Sequence, residues 1–321
     1  MNKKFFLILY VVVCSAGILL CLEIAAHLIL SHRYSHDERS LAYNYDATLG
    51  WFPEKNSQKT FTATRKISIR HNSRGFRDKE RSSEKTKPRI VFVGDSFVWG
   101  YDVEEKDRLT EKLQEKQGNS EVVNLGVSAY STDQELLLLE REWDYYKPDF
   151  VFLIVSDNDR GGNASNMSYG YYKPYFLINN GEPQLKGVPV PKNAMYYFKS
   201  MKHGLNRSYL VMIAVKIYEN LKYGRHYSGH QIYVEDPTDI LVEKMRSFAV
   251  KKGAGFSVGL VTDDHDLEKF CQKQNIPLIN FGPTADKFRF SENGGHWNEK
   301  GHKAVSETIH QFLLQNWKKY S

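Results

Sequence analysis

The chain has 321 residues, with 44 Lys plus Arg against 38 Asp plus Glu, a net charge of +6, 41% hydrophobic and 26% charged residues. That is enough apolar sequence to bury a core in one large α/β domain or two small ones, which excludes disorder as the main state. The mild basic excess is spread without an Arg-rich block, and two of the three cysteines share one apolar run, which argues against nucleic acid as a partner and against a disulfide or thiolate-zinc scaffold.

Residues 5–22 form an uninterrupted run of 18 apolar or small residues; Glu23 breaks it and residues 24–30 resume it. At about 1.5 Å per residue, residues 5–30 are long enough to cross a hydrocarbon core of about 30 Å. Lys3, Lys4 and the amino terminus precede the run and favour an N-inside orientation. The signal is modest, because Arg33 and Arg39 follow the run and are only partly offset by Asp37 and Glu38. Residues 1–33 are therefore read as a single-pass signal anchor, with everything after about His32 outside the cytoplasm. A cleaved signal peptide ranks second, since the run is long and no small-x-small site follows it. Neither Cys14 nor Cys21 has a small residue before it, which argues against a lipoprotein anchor. For Glu23, snorkelling to the interface ranks above a contact with another helix.

Residues 34–86 are polar and turn-rich with no sustained period, and are read as a juxtamembrane segment lying against the main domain. They carry Leu49-Gly50-Trp51-Phe52-Pro53 and Asn72-Ser73-Arg74-Gly75-Phe76-Arg77. From residue 87 onward, short apolar runs alternate with helical patterns. Strands are expected at 90–93, 122–125, 150–155, 256–262 and 277–281, each a continuous apolar run as in a buried parallel sheet. Helices are expected at 109–117, from Ser131 through Tyr146 with Ser131 and Gln134 as a capping box, at 236–252, at 267–274, and from about Asn298 with Val305, Ile309, Phe312 and Leu313 on one face. Residues 160–235 break this rhythm. They hold 11 of the 20 tyrosines and one amphipathic helix around 208–221, and read as an insertion. Five strand runs alternating with helices imply a three-layer α/β/α sandwich around a five-stranded parallel sheet, preceded by one membrane helix.

In such a sheet the ligand lies at the carboxyl ends of the strands. The polar residues there are Asp95 and Ser96, then Gly126 and Ser128, then Asp157, Asn158 and Asp159, then Asp263, Asp264 and His265, and finally a loop leading to His296. Ser96 is a candidate nucleophile and His296 or His302 a candidate base. A serine hydroxyl needs a positioned base, and imidazole has a suitable pKa near 6.5. A tetrahedral oxyanion needs preorganised donors, each worth roughly 10²–10³ in rate. The Gly126 N–H, the Asn158 amide and the Ser96 N–H are candidates.

Four blocks in this order resemble the SGNH/GDSL hydrolase family, over about residue 49 to the C-terminus without the Tyr-rich middle. Gly94-Asp95-Ser96-Phe97 is similar to the nucleophile block, and Asn124-Leu125-Gly126 carries the glycine matching the oxyanion-hole glycine. Ser156-Asp157-Asn158-Asp159 is similar to the Gly-x-Asn-Asp block, with Ser156 in place of the glycine. His296-Trp297-Asn298-Glu299-Lys300-Gly301-His302 places His296 on the catalytic histidine. The anchor and the Asn-Ser-Arg-Gly-Phe-Arg segment look like a membrane-anchored bacterial branch associated with surface polysaccharides.

The resemblance implies a flavodoxin-like SGNH fold and an extracytoplasmic serine esterase or acyltransferase. The implied substrate is an acylated small molecule or a cell-surface or exported glycan, with catalytic Ser96, His296, Gly126 and Asn158 and no cofactor or metal. One departure stands out. The family carries an aspartate two or three residues before the histidine, where this chain has Gly294 and Asn293. In a serine protease, exchanging the orienting acid for its amide costs about 10⁴ in rate. A Ser–His dyad oriented by Asn293 or a backbone carbonyl ranks first. Orientation by Glu292 and a non-catalytic scaffold protein are the alternatives.

Taken singly, each residue has a plainer role. Ser96 caps a helix, Gly126 ends a strand, Asn158 bonds its own loop, and His296 lies on the surface. Their joint order reverses that ranking. His302 is read as packing near the helix start, Asp95 as supporting the turn, Asp263 to Asp266 as an acidic helix start rather than a metal site, and Cys271 as a buried small hydrophobe. For the insertion's tyrosines, packing ranks above a sugar-binding lid. No Gly-rich phosphate loop follows any strand, which argues against a nucleotide-binding protein.

Overall fold

The computed structural model describes residues 3–34, 43–192, 208–223, 231–291 and 295–316. In chain order, helix α1 (Lys3–Tyr34) precedes four short strands, β1 (Tyr43–Asp46), β2 (Gly50–Pro53), β3 (Gln58–Thr62) and β4 (Lys66–Arg70). There follow β5 (Arg89–Gly94), α2 (Ser96–Trp99), α3 (Leu109–Gln114), β6 (Glu121–Asn124), α4 (Thr132–Tyr146), β7 (Phe150–Val155) and α5 (Asn158–Asn163). The insertion contributes β8 (Met167–Ser168), β9 (Tyr171–Tyr172), β10 (Tyr175–Asn179), β11 (Glu182–Lys186) and α6 (Tyr209–Tyr223). The chain continues with α7 (Thr238–Lys251), β12 (Gly255–Leu260), α8 (His265–Lys273), β13 (Leu278–Asn280), α9 (Gly282–Ala285) and α10 (Glu299–Asn316).

Two compact units result, Met1–Arg39 with Lys192–His230, and Ser40–Pro191 with Gln231–Ser321. In the first unit, residues Lys3–Leu30 of α1 are long and apolar enough to cross a membrane. Glu23 does not simply snorkel. Its carboxylate accepts hydrogen bonds from the Tyr209 N–H at 2.6 Å, the Leu210 N–H at 3.1 Å and the Ser208 hydroxyl at 2.8 Å. It thus serves as the anion at the N-terminus of α6, where unpaired N–H groups and the helix dipole favour negative charge. Ala26 and Leu30, on the same face of α1, pack against Tyr209, Met212 and Ile213.

In the second unit the strands run in the order β13-β12-β7-β5-β6, all parallel. Strands β5 and β7 are buried along their whole length, which explains their unbroken apolar sequences, Arg89 excepted. Phe92 and Phe152 are register partners whose rings stack at 5.1 Å. Together with Ile90, Phe150 and Ile154 they meet Leu109 and Leu113 of α3 and Val305, Ile309 and Leu313 of α10. Helices α4 and α7 pack against β5 and β12. The chain reverses its direction of sheet growth between β5 and β7, which are adjacent although β6 lies between them in sequence, and that crevice is where such sheets bind ligands.

The polar segment before β5 is more ordered than its composition suggests. It forms two antiparallel hairpins, β1–β2 and β3–β4. Arg77 is buried beneath α2, donating to Trp99 O at 3.3 Å and Val103 O at 2.8 Å. The expected capping box at Ser131 does not form. Asn163 Oδ1 takes the Asp133 N–H at 3.0 Å, and the Gln134 side chain turns away to Leu49 O at 2.7 Å. Asn298 does cap α10, accepting from the N–H groups of Lys300 and Gly301.

His302 is buried at the start of α10, and its Nδ1 accepts the Leu109 N–H at 3.2 Å. Burial, reinforced by Arg108, Arg77 and His296, pushes its pKa down to about 3. An unfolded histidine titrates at about 6.5. Between those values the unfolded chain takes up a proton that the folded one refuses. The stability due to neutral His302 is therefore full above about pH 7 and is lost as the pH falls through 6.5 towards 3. His302→Gln, which keeps an acceptor for Leu109, should cost about 1–3 kcal/mol at pH 8. In urea unfolding this deficit should shrink at pH 5; a deficit that stays constant would show that His302 is not held neutral.

Candidate active site

Strand β5 ends at Gly94, whose Cβ, were there one, would lie 2.5 Å from Val98 Cγ2 and 3.1 Å from Ile154 O, so a larger residue does not fit this turn. Asp95 caps α2 through the Phe97 N–H at 2.9 Å, and Ser96 is the first helical residue. Its N–H is one of the four that a helix leaves without an intrahelical acceptor. Ser96 is 8% exposed, and its Oγ lies 2.7 Å from His296 Nε2.

The His296 ring is fixed by its faces. Tyr101 stacks on it at 4.3 Å and 22°, and Phe97 tilts against it at 4.8 Å. Its carbonyl accepts the Phe290 N–H at 2.8 Å. Arg289 braces the same loop through Val261 O at 2.7 Å and Gly295 O at 3.1 Å. Glu292, Asn293 and Gly294, weighed above as orienting groups, lie outside the described residues.

Gly126 follows β6 and presses on α2, where a Cβ would stand 2.4 Å from Trp99 N. Its N–H donates to Asn124 Oδ1 at 2.9 Å, while Asn124 Nδ2 holds Val98 O at 2.7 Å. Asn158 begins α5. Its Nδ2 donates to Tyr130 O at 3.1 Å, and its Oδ1 accepts from the Ser156 hydroxyl. This fixes the amide's orientation and leaves one N–H for a ligand. Ser156 Oγ also lies 2.7 Å from Asp95 Oδ2. Asp159 Oδ2 accepts the Ser156 N–H and its Oδ1 the Thr132 hydroxyl, each at 2.8 Å.

Buried acids crowd beneath these loops. Burial raises the pKa of Asp95, with the charge of Asp157 adding to it, and burial next to Asp95 raises that of Asp159. Glu135, buried beside both, is held well above the usual carboxylate range. Asp133 is paired with the buried Lys173. A cavity of about 430 Å³ opens beside Ser156 and Asp157 and is lined by Arg160, Thr262, Asp263 and His265.

Ser96, His296, Gly126 and Asn158 thus all lie on the loops after β5, β6 and β7 or just before α10. His302 bonds Leu109 instead. In the acidic run, Asp264 caps α8 through the Leu267 N–H and pairs with Arg160. Among the described residues no group of three or more His, Cys, Asp or Glu is disposed to hold a metal. Of the insertion's tyrosines, Tyr172 is buried and Tyr171 lies 6.0 Å from the Trp51 ring, while Tyr196, Tyr197 and Tyr227 lie outside the described residues. Sequence reasoning missed Tyr101 and the bond from Ser156 to Asp95. An aromatic residue just past the Ser96 turn was the one available signal for the first; the second had none.

A model of the family described as GDSL-like Lipase/Acylhydrolase matches residues 90–309. Among solved structures, a member of the lipolytic protein G-D-S-L family from Veillonella parvula DSM 2008 is 16% identical, with 72% of this chain and 98% of that one covered and a TM-score of 0.39. A psychrotrophic esterase from Pseudoalteromonas sp. is 13% identical, covering 73% of this chain and 100% of that one, also at 0.39. A GDSL-like lipase from Bacteroides thetaiotaomicron VPI-5482 is 14% identical, covering 71% and 88%, at 0.37. No curated protein matches the chain.

If the stacked ring positions the imidazole, Tyr101→Leu should lower kcat/KM for an ester about 10- to 100-fold, the scale of a small misplacement of a reacting group. The circular dichroism spectrum should not change, and Tyr101→Phe should retain most activity. Parent-like turnover by Tyr101→Leu would remove Tyr101 from the site.

Proposed function

The chain belongs to the GDSL-like lipase/acylhydrolase family, an ester-hydrolysing family, and on that premise we propose that it is a membrane-anchored serine esterase using Ser96 and His296. The observation that carries this reading is the 2.7 Å contact between Ser96 Oγ and His296 Nε2, the hydrogen bond a nucleophile needs to its base. Ser96 Oγ attacks the acyl carbon while Nε2 takes its proton. The tetrahedral intermediate's oxyanion is met by the Ser96 N–H and the unused Asn158 amide hydrogen. The Gly126 N–H joins them if it exchanges Asn124 Oδ1 for the oxyanion. The ester C–O bond then breaks, and the proton on Nε2 passes to the leaving alcohol. Water repeats the sequence on the acyl-serine and releases the carboxylic acid. The aromatic faces of Tyr101 and Phe97 supply part of the ring orientation that the family's aspartate otherwise supplies.

The span of α1 and the positive residues before it support a catalytic domain outside the cytoplasm. The cavity next to the Asn158 loop is not lined by Ser96 or His296 themselves, and its polar lining at Asp157, Thr262 and Asp263 supports a hydroxylated leaving group, such as the sugar alcohol of an O-acetylated cell-surface or exported glycan.

Full-length protein in detergent should form a single covalent adduct with a fluorophosphonate, seen as one mass increment. Ser96→Ala should form none, and His296→Ala should react at least about 10²-fold more slowly. An adduct of equal yield on Ser96→Ala, or none on the folded parent, would defeat the serine mechanism.

A further inference from the structure

Ser156 stands where the family pattern has glycine, and its hydroxyl faces three oxygen atoms. Asp95 Oδ2 lies at 2.7 Å, Asn158 Oδ1 is within hydrogen-bond reach, and Asp159 Oδ2 is at 3.4 Å. Asn158 Oδ1 carries no hydrogen, and its identity is fixed because the nitrogen of the same amide donates to Tyr130 O. The two close contacts of Ser156 Oγ therefore need two protons. Ser156 supplies one. The other has to sit on Asp95, since Asp159 Oδ2 already accepts the Ser156 N–H at 2.8 Å. The Asp95 oxygen turned away from Ser156 accepts the Phe97 N–H at 2.9 Å, so the acid has one oxygen for each task.

We propose that Ser156 and Asp95 are positioning residues: neutral Asp95 donates to Ser156 Oγ, Ser156 donates to Asn158 Oδ1, and this relay aims the remaining Asn158 N–H at the oxyanion. The proposal rests on the serine-esterase reading given above. It ties the nucleophile's turn to the oxyanion loop through one buried hydroxyl. When Asp95 ionises, Ser156 turns its hydrogen to the carboxylate and Asn158 Oδ1 loses its donor. The groups that set this ionisation are all acidic or already neutralised. Asp157 and Asp159 flank the site from the α5 side, Glu135 lies on α4, and Asp133 on α4 is paired with Lys173. Burial above all, with the charge of Asp157, raises the pKa of Asp95 to about 6 against the lowering pull of the Phe97 N–H and Ser156 hydrogen bonds, so the proton is held in mildly acidic solution.

The test measures p-nitrophenyl acetate hydrolysis by the full-length protein against pH. For the parent, kcat should fall as the pH rises through about 6, the value to which burial raises Asp95, with KM little changed. Asp95→Asn should lose this fall, because its amide nitrogen donates to Ser156 at every pH. Ser156→Gly should lower kcat about 10-fold, less than the 10²–10³ of losing a donor outright, and should also flatten the profile. Infrared spectroscopy at pH 5 should show a protonated carboxyl band that Asp95→Asn removes. A fall that persists in Asp95→Asn, a parent-like Ser156→Gly, or a band unaffected by Asp95→Asn would each overturn the relay. Should Asp95→Asn fail to fold, Ser156→Gly and the parent's band still decide. Undiminished turnover by Ser96→Ala would instead overturn the underlying esterase reading, with the infrared band still reporting the Asp95 proton separately.

Discussion

A 2.7 Å hydrogen bond between residues 200 positions apart, Ser96 and His296, constrains the whole α/β unit. Ser96 is set by the end of the central strand β5, and His296 by the loop that enters α10. The two meet only if α10 has docked on α3 and on the Phe92–Phe152 face of the sheet. The rings next to the pair enforce this. Trp297 is fully buried, 4.8 Å from Phe97 and 5.9 Å from Phe281. A residue on each side of the Ser96–His296 contact, Phe97 after the serine and Trp297 after the histidine, thus belongs to the hydrophobic core. Burial of apolar surface, the largest favourable term in folding, also closes the site.

The hairpins ahead of the sheet extend that logic to the other face of the imidazole. Phe61 of β3, with Ile67 and Ile69 of β4, packs on Trp99, and Phe61 meets Tyr101 at 5.0 Å. Tyr101 in turn stacks on His296. Arg77 holds the turn between Trp99 and Val103 by its carbonyls, so the backbone carrying Tyr101 is fixed at both ends. A polar segment outside the sheet therefore contributes to the order of the His296 ring. This is one physical route by which a chain lacking the family's aspartate at Gly294 or Asn293 orients its histidine.

What the sequence made legible follows from the range of each interaction. Strands β5, β7 and β12 are buried on both faces, so their apolar runs were readable without partners. Strands β3 and β4 bury only Phe61, Ile67 and Ile69 among exposed polar residues, a pattern too short to distinguish from a turn-rich linker. Arg77 and Arg89 are buried, because backbone carbonyls from distant segments satisfy them, and those partnerships leave no local trace in the sequence. Ser96, Gly126, Asn158 and His296 were legible as blocks in order. The capping box at Ser131 was a local rule overridden by Asn163, 30 residues away from its donor. Ser156 was visible as a departure from glycine, but its bond to Asp95 crosses 61 positions and has no local trace.

Electrostatics links these observations to the chemistry. Four carboxyl groups, Asp95, Asp133, Glu135 and Asp159, are buried close to the loops that carry Ser96 and Asn158. Among the described residues only Asp133 has a cation within ion-pair distance, Lys173. Several ionised carboxylates in so low a dielectric would repel one another and would raise the energy of any oxyanion formed above them. Burial raises the pKa of Asp95, Glu135 and Asp159, and an acid among them that keeps its proton removes both penalties and becomes a donor. Ser156 can then take a hydrogen from Asp95 and pass its own to Asn158, so the same burial that favours the neutral acid also organises the amide. A glycine at position 156 would leave Asp95 and Asn158 without that bridge. The replacement in this chain is thus tied to the buried acid beneath it, and the two residues are understood only as a pair.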